Sequence, residues 1–443
     1  MGRSSHFLRG IVGATAVCLA AVLASPLMAA TVASAAPAAG PHFTFRTFNV
    51  PKAVYTDILG INNMGVMVGQ YMDASHVAHG FITTGDHIVT VDVPGAYATG
   101  VQSVNDKGTA VGWWQQSLGH GNYLSHGFVR SPAGVITTID DSSAGPKGYT
   151  EGVYGINDDG VLVGSFVDSK GVEHGFIDQH GRFTTVDNPK YAPSSHSGTE
   201  LWAINDLGVI DGLGYSYPTA VKGFTVSRPA SSTQYSYFTG VGDKGSYKSD
   251  GGTWPSGMND WGAVVGHSNG WEGYGVFVGW EWFHGKMITI SDPAASTKPG
   301  SDFAPGCGCF AGTAPGGIND AGTVVGIYWD SNYHPHGFIA TPTFTSTTAL
   351  KLSAAKVTYG DEQSETLSVG VSPQNSGVTP TGKVTVKEDR TTLCTIVLSS
   401  GKGSCTLSAK MLNVGTYHLV ATYEGSKNVR PSTSAKETLT VLK

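Results

Sequence analysis

Between residues 43 and 344 the chain runs in short stretches of alternating apolar and polar residues, rich in Val, Ile, Thr, Phe and Tyr. Gly, Asn, Asp and Pro separate them. Alternation with period two marks strands, and no stretch shows the i, i+3, i+4 stripe of a helix. Residues 149–187 are representative. A first strand ends at "GIN" (155–157). Asn157-Asp158-Asp159-Gly160 then supplies a turn, because Asn and Asp bond their own backbone and Gly accepts positive φ. The second strand is "VLVGSFVD" (161–168), the third "HGFID" (174–178) and the fourth "RFTTVD" (182–187).

This cassette occurs six times: "GINNMGVMVG" (60–69), "SVNDKGTAVG" (103–112), "GINDDGVLVG" (155–164), "AINDLGVIDG" (203–212), "GMNDWGAVVG" (257–266) and "GINDAGTVVG" (317–326). Four strands per unit of roughly 50 residues predict the blades of a β-propeller. A solenoid is the competing arrangement, and the ends decide between them. "FTFRTFNVPKA" (43–53) reads like a fourth strand, whereas the last unit stops after its third, "HGFIATPTF" (336–344). A ring is closed by lending the first strand to the last blade, which also removes exposed sheet edges. From the turn glycine to the glycine of His-Gly-Phe the count is 15 in units one, three, four and six, and 19 in unit two. In unit five it is 13 if Tyr274-Gly275-Val276 is the counterpart. The longest connectors, 226–256 and 291–316, are where a grafted site is expected.

After about Thr345 the cassette disappears. Seven alternating stretches follow: "TALKLSAAKVTYG", "ETLSVGVSP", "GKVTVKED", "TTLCTIVLSS", "GSCTLSA", "GTYHLVATYEGS" and "KETLTVLK". They predict an Ig-like sandwich over 345–443, with Tyr417 as a corner tyrosine. The expected fold is therefore all-β: a six-bladed β-propeller over 43–344 closed by an N-terminal strand, then an Ig-like β-sandwich. "TFTSTTAL" (343–350) reads as a short Ser/Thr linker between them.

Composition narrows the class. The 443 residues include 27 basic and 33 acidic, a formal charge of −6. No basic patch suits nucleic acid. Arg3 and Arg9 precede an apolar run, Ile11 to Leu23, and Ala33-Ser34-Ala35 reads as a cleavage site. Residues 1–36 are thus expected to be a signal peptide, with the mature chain secreted and at charge −8. No later apolar run has membrane length, so no membrane span is expected. Cys307, Cys309, Cys394 and Cys405 then lie in an oxidising compartment. Cys394 and Cys405 flank a turn, and two strands folding back there as a hairpin would place them opposite each other, so they are expected to pair. "GCGCF" (306–310) admits a cramped disulfide or, with further ligands, metal, and the disulfide is preferred.

The cassette resembles the extracellular HAF-repeat family of bacteria, over residues 43–344. Lys222-Gly223-Phe224 and Tyr274-Gly275-Val276 depart from its His-Gly-Phe. The resemblance implies a repeat scaffold and no particular activity. Residues 345–443 look like a bacterial Ig-like repeat domain, on "GKVTV", the Cys394/Cys405 turn and "GTYHLVATYEGS". That resemblance implies a spacer or adhesion module.

Repetition also weighs on the candidate chemistry. His79, His126, His174 and His336 occupy one position in four units. They are either a metal-binding ring about the axis or structural residues bonding a neighbouring turn, and the structural reading is preferred. The adjacent Asn-Asp pairs lack the alternating oxygens of a calcium loop, and no metal or cofactor is expected. Asp92, Asp140, Asp187 and Asp292 recur at the end of the fourth strand and read as turn caps. "SDGGTW" (249–254) differs from a sialidase Asp-box, with Ser249 where the aspartate belongs. Tyr71, Trp114, Phe166 and Tyr328 recur at one position and read as packing between blades.

Irregular aromatics are more informative. Trp254, Trp271, Trp280 and Trp282 accompany Glu272 and Glu281 in and around "GWEGYGVFVGWEWFHG" (270–285). Aromatic faces beside carboxylates suit sugars, although the same residues would also serve to pack unit five. No nucleophile elbow, phosphate loop or dinucleotide fingerprint is present. The expected function is a secreted, monomeric, non-enzymatic binding or adhesion protein with no assigned catalytic residue. Its ligand is extracellular, with polysaccharide or a cell surface as candidates. The alternative is a secreted propeller carbohydrate hydrolase using a carboxylate pair such as Glu272 and Glu281.

Overall fold

A computed structural model describes residues 42–443 apart from 86, 217–219, 228–234, 241–251, 269–275, 284, 298–309, 374–377 and 427. The proposed signal peptide, Trp271, Glu272, Cys307, Cys309 and much of the two long connectors lie outside the described residues. The chain divides into two compact units, one spanning Phe45–Ala340 and the other Thr341–Lys443 together with the described residues up to Thr44.

Blade three shows why the cassette folds as it does. Tyr149–Ile156, Val161–Val167, Glu173–Gln179 and Phe183–Val186 pair antiparallel in chain order. Gly160 sits at φ 74°, and Asn157 Oδ1 accepts from Val161 N at 3.0 Å, locking the turn. A Cβ on Gly164 would lie 2.2 Å from the Gly152 carbonyl, with the Phe176 ring at 2.8 Å. Only glycine fits between that strand and that ring. Phe81, Phe128, Phe176, Phe224 and Phe338 of five cassettes are fully buried. Burying each contributes about 2–3 kcal/mol.

Five blades take all four strands from consecutive chain. The sixth pairs Ala311–Ile318, Val324–Trp329 and Pro335–Thr343, and His42–Phe48 adds to its outer edge. Thr47 Oγ1 meets the Tyr328 hydroxyl at 2.9 Å, and Phe45 packs on Phe338 at 5.9 Å. The expected ring closure is present.

Two rings of hydrogen bonds hold the blades at the axis. Each cassette asparagine donates Nδ2 to the carbonyl of the next one: Asn62, Asn105, Asn157, Asn205, Asn259, Asn319 and back to Asn62, at 2.9–3.3 Å. The residue after it donates its backbone N–H to the next blade's side-chain oxygen, at 2.7–2.9 Å. This ring runs through Asn63, Asp106, Asp158, Asp206, Asp260 and Asp320. The asparagines therefore cap their own turns as expected, but the aspartates bond the neighbouring blade.

Two assignments in the later cassettes change. In blade five Gly279 pairs with Ile290 as Gly80 pairs with Val91, so Val278-Gly279-Trp280 replaces His-Gly-Phe. Tyr274-Gly275-Val276 is not the counterpart, and the glycine spacing there is longer than in the regular units. The reason is a swap of rings: Trp280, fully buried, fills the slot that phenylalanine fills elsewhere. Asp292 also shifts register. Its backbone N–H donates to Thr313 Oγ1, as Asp141 donates to Thr150 and Asn188 to Thr199. Ser291, not Asp292, therefore corresponds to Asp92, Asp140 and Asp187.

The second unit is a two-sheet sandwich. Ser346–Leu352, Thr366–Pro373 and Lys402–Thr406 form one sheet. Lys356–Thr358, Lys383–Glu388, Thr391–Val397, Gly415–Tyr423, Ser432–Thr433 and Glu437–Leu442 form the other. The stretch read as one first strand divides, its two halves joining different sheets. Cys394 and Cys405 are bonded as expected, but not across a hairpin: their strands belong to opposite sheets, so the bridge ties the sandwich together. Tyr417 donates its hydroxyl to the Asn413 carbonyl at 2.8 Å, the corner arrangement expected.

Two stability measurements follow. Asn157→Ala leaves the Val161 N–H without its side-chain partner and removes one of the two bonds to the Asn205 carbonyl, which keeps the Gly208 N–H, and is expected to cost about 2 kcal/mol in urea unfolding. Asp159→Ala, exposed in the same turn, should stay within about 0.5 kcal/mol. The Cys394→Ala/Cys405→Ala pair should lower the stability of the second unit by about 3 kcal/mol through loop entropy, read by calorimetry.

Candidate functional site

The first strand of every blade carries a bulge three residues before its asparagine. The pairing shifts between Ile58/Gly60, Val101/Ser103, Val153/Gly155, Leu201/Ala203, Pro255/Gly257 and Pro315/Gly317. A bulged residue leaves the ladder and re-aims its side chain. The six are Leu59, Gln102, Tyr154, Trp202, Ser256 and Gly316, no two alike. All six line a cavity of about 100 Å³ on the axis, beneath the asparagine and aspartate rings. Around a repeated wall the structure thus sets six different residues at one level.

The departures from the repeat gather on one side of this cavity. Tyr154 and Trp202 stack at 4.7 Å and 14°. Blade three has an additional bulged residue, Glu151, between Thr150 and Gly152. Glu151, Glu173 and Glu200 are buried behind the rings: Tyr215 Oη donates to Glu173 at 2.7 Å, Trp202 Nε1 to Glu200 at 3.2 Å, and Ser165 Oγ to Glu151 at 3.4 Å. Burial, then the neighbouring Glu173 and Glu151, push the Glu200 carboxyl well above its ordinary range. Asp211 stands where five blades have buried valine (Val68, Val111, Val163, Val265 and Val325), and it is itself fully buried. It accepts from Ala203 N at 2.9 Å, beside the Trp202 bulge. Burial pushes it to about 8. In blade one Asp57 bonds Tyr55 Oη and is pushed to about 7, again by burial.

The histidines have a different office. His79, His126 and His174 bond Asp92, Asp140 and Asp187 through Nδ1 at 3.0, 2.9 and 2.7 Å, and His336 meets Asn49 across the closing strand at 3.1 Å. Each ring packs on an aromatic of its own blade: Tyr71, Trp114, Phe166 and Tyr328. These aromatics thus pack on a histidine of their own blade, and the expected packing between blades also holds: Phe166 joins Val111 of blade two in one core cluster, and Trp114 lies against a cluster shared by blades one and two. The hydrogen bond to Asp187 raises His174 above its ordinary value. Asp92, Asp140 and Asp187 are histidine partners rather than turn caps.

The blade-five residues do not form one group. Trp254 is half-buried and parallel to His267 at 5.9 Å. Trp282 stacks on Phe238 at 5.1 Å. The two pair at opposite ends of the second strand, at His267 and Val264, about 10 Å apart along it. Trp280 lies between them, fully buried, with Nε1 on Ser268 Oγ at 3.1 Å, so no ligand reaches it. Glu281 is half-buried and pushed up to about 7 by burial. The cavity wall was missed by reasoning from repeated motifs, because its residues are the ones that differ. The usable signal was variation at a fixed offset from an invariant asparagine.

Comparison with known proteins identifies the second unit: residues 350–442 match the Bacterial Ig-like domain (group 3) family. They form a bacterial Ig-like domain. No curated protein matches the chain. Among solved structures, an Aleuria aurantia lectin mutant in complex with Fucα1-6GlcNAc is similar at 11% identity, covering 65% of this chain and 93% of its own, with TM-score 0.39. Trypanosoma rangeli sialidase in complex with the inhibitor DANA is similar at 9% identity, over 68% of this chain and 55% of its own, TM-score 0.36. The extracellular domain of a putative one-component system from B. thetaiotaomicron is similar at 10%, over 91% and 58%, TM-score 0.32. Alongside the Ig-like domain and its disulfide, which are consistent with an extracellular protein, no helix among the described residues is long and apolar enough to cross a membrane.

The buried Asp211 gives a pH test. Its folded value is raised, so its contribution is fully present below about pH 4 and is lost as pH rises towards 8. Between those limits wild-type stability should fall by about 1.4 kcal/mol per pH unit on this account. Asp211→Asn removes the titration and should flatten the decline, measured by urea unfolding at pH 5 and pH 8. An unchanged slope counts against the assignment.

Proposed function

We propose that the chain is a secreted, monomeric, non-enzymatic binding protein of the HAF-repeat type, whose propeller receives an extracellular ligand at its axis. The Ig-like domain serves as spacer. One observation carries the reading: the unrepeated residues converge on the axial cavity, at Gln102, Tyr154, Trp202 and Ser256, and not on blade five. Repeated residues build the scaffold, and a ligand needs different groups meeting once. The stacked aromatic pair supplies a rigid apolar face, and the amide and hydroxyl supply direction.

A second reading has its own support. Three clustered glutamates, with the Glu200 carboxyl raised above its ordinary range, are the ingredients of a glycoside-cleaving acid and its carboxylate partner. Against it, all three are buried and bonded to tyrosine, tryptophan and serine.

An array of polysaccharides and small polar ligands separates the readings. Wild-type binding should be lost with Trp202→Ala and kept with Trp254→Ala. The reverse pattern would move the site to blade five. Release of reducing sugar that Glu200→Gln abolishes would replace the binding reading with a hydrolase.

A further inference from the structure

We infer that the axial cavity receives a primary ammonium group on a slender stem; this rests on the reading that the axis is the binding site and names the chemistry of its ligand. Three independent features of the cavity lead there.

The first is its size. A cavity of about 150 Å³ lined by apolar side chains holds one benzene. At about 100 Å³ the axial cavity is too small for a pyranose ring. It takes a head group and the carbons next to it.

The second is the sign of its entrance. Asp106, Asp158, Asp206, Asp260 and Asp320 line the same cavity as the bulge residues. They form the solvent-facing tier, above the buried asparagines. Each accepts, on Oδ1, from a backbone N–H of the preceding blade. Asn63 Nδ2 reaches the second oxygen of Asp106 and of Asp320, at 3.1 and 3.0 Å. Asp158, Asp206 and Asp260 keep their second oxygens for solvent or a ligand. Burial and mutual repulsion raise Asp206 and Asp260, so a cation arriving there relieves a real strain. Lys107 Nζ donates to the Asp158 carbonyl on the rim, leaving the acidic balance in place. Such a rim concentrates cations at a low-dielectric mouth.

The third lies at the inner end. Gln102 lines the cavity and is 3% exposed, and no protein group bonds its amide; Oε1 is fully enclosed. That oxygen is closed off from the cavity, and a turn of the amide, which exchanges Oε1 and Nε2, would present it to an ammonium. Beside it stand the half-buried Trp202 and the Tyr154 stacked on it. An aromatic face under a carboxylate-lined mouth favours an ammonium over a neutral hydroxyl. Metal coordination fits less well: among the described residues no three acidic, histidine or cysteine side chains are placed to hold one ion.

A lysine side chain and a free alkylamine share this chemistry. The test titrates the full chain with n-butylammonium, with n-butanol as its neutral isostere, and with CaCl2, by calorimetry and by the Trp202 indole NMR signal. Butylammonium should bind and shift that signal; butanol and calcium should bind at least tenfold more weakly. Raising NaCl from 0.02 to 0.2 M should weaken the amine severalfold. Trp202→Ala should weaken it about tenfold and Trp202→Phe much less. The Phe variant guards against misfolding as the cause, as does Asp206→Asn, which leaves the aromatic wall intact and should weaken binding severalfold. Nα-acetyl-lysine methylamide against its Nε-acetylated form distinguishes the sources: binding of the first alone adds protein lysine to the ligand class, and binding of neither restricts it to free amines. Equal binding of butanol, displacement of amine by stoichiometric calcium, or no amine binding overturns the proposal. If amines fail while an array ligand still depends on Trp202, the ammonium proposal falls and the axial site stands. If no ligand depends on Trp202, both fall.

Discussion

Each blade is completed by its neighbour through one asparagine. Its Oδ1 shapes its own turn and its Nδ2 shapes the ring, so local and global structure are specified by the same side chain. A second ring through the aspartates repeats the link one residue on. The bonds are individually modest, but each ring is closed, and one asparagine lost both loosens its own turn and breaks the link to the next blade. Everything else at the axis depends on this girdle. It holds the six first strands close enough for their bulged residues to meet around one small space.

The girdle also explains the economy of the remaining cassette. With the axis fixed, each blade needs only a filler for its middle and a latch for its outer edge. The buried phenylalanine, or Trp280, is the filler, and the glycine facing it exists because a strand carbonyl occupies the place of a side chain. The histidine with its aspartate is the latch. Blade four replaces it with Lys222, whose Nζ reaches Thr239 Oγ1 at 3.4 Å, and blade five has Val278 and Ser291 at those positions. The latch is therefore dispensable where the filler and the girdle are present.

Much of this was legible in the sequence. Strand order, ring closure by residues near 43–48 and the turn chemistry of Asn157 and Gly160 follow from local pattern, and the Cys394–Cys405 bond was legible from spacing although its strands do not form the hairpin that spacing suggests. What escaped has a common cause: partners that lie in another blade. Asp158 next to Asn157 reads as part of a turn, because nothing local points to Asp206. Trp280 reads as a candidate for sugar contact, because a ring substitution in the core hides the cassette in "VGW". Glu151, Glu173 and Glu200 are far apart along the chain and come together only across two blades. The bulge residues are the sharpest case. Gln102, Tyr154 and Trp202 each look incidental until six copies are aligned on the asparagine.

A bulge frees a residue from its sheet. The backbone hydrogen bonds on either side of Leu59, Gln102, Tyr154, Trp202, Ser256 and Gly316 do not depend on what those side chains are. Identity at this level can thus change without retuning the blades, one position at a time. The propeller resembles a combination lock with six wheels on a fixed spindle. A duplicated cassette that began with identical wheels would need no rearrangement of the scaffold to acquire a new setting.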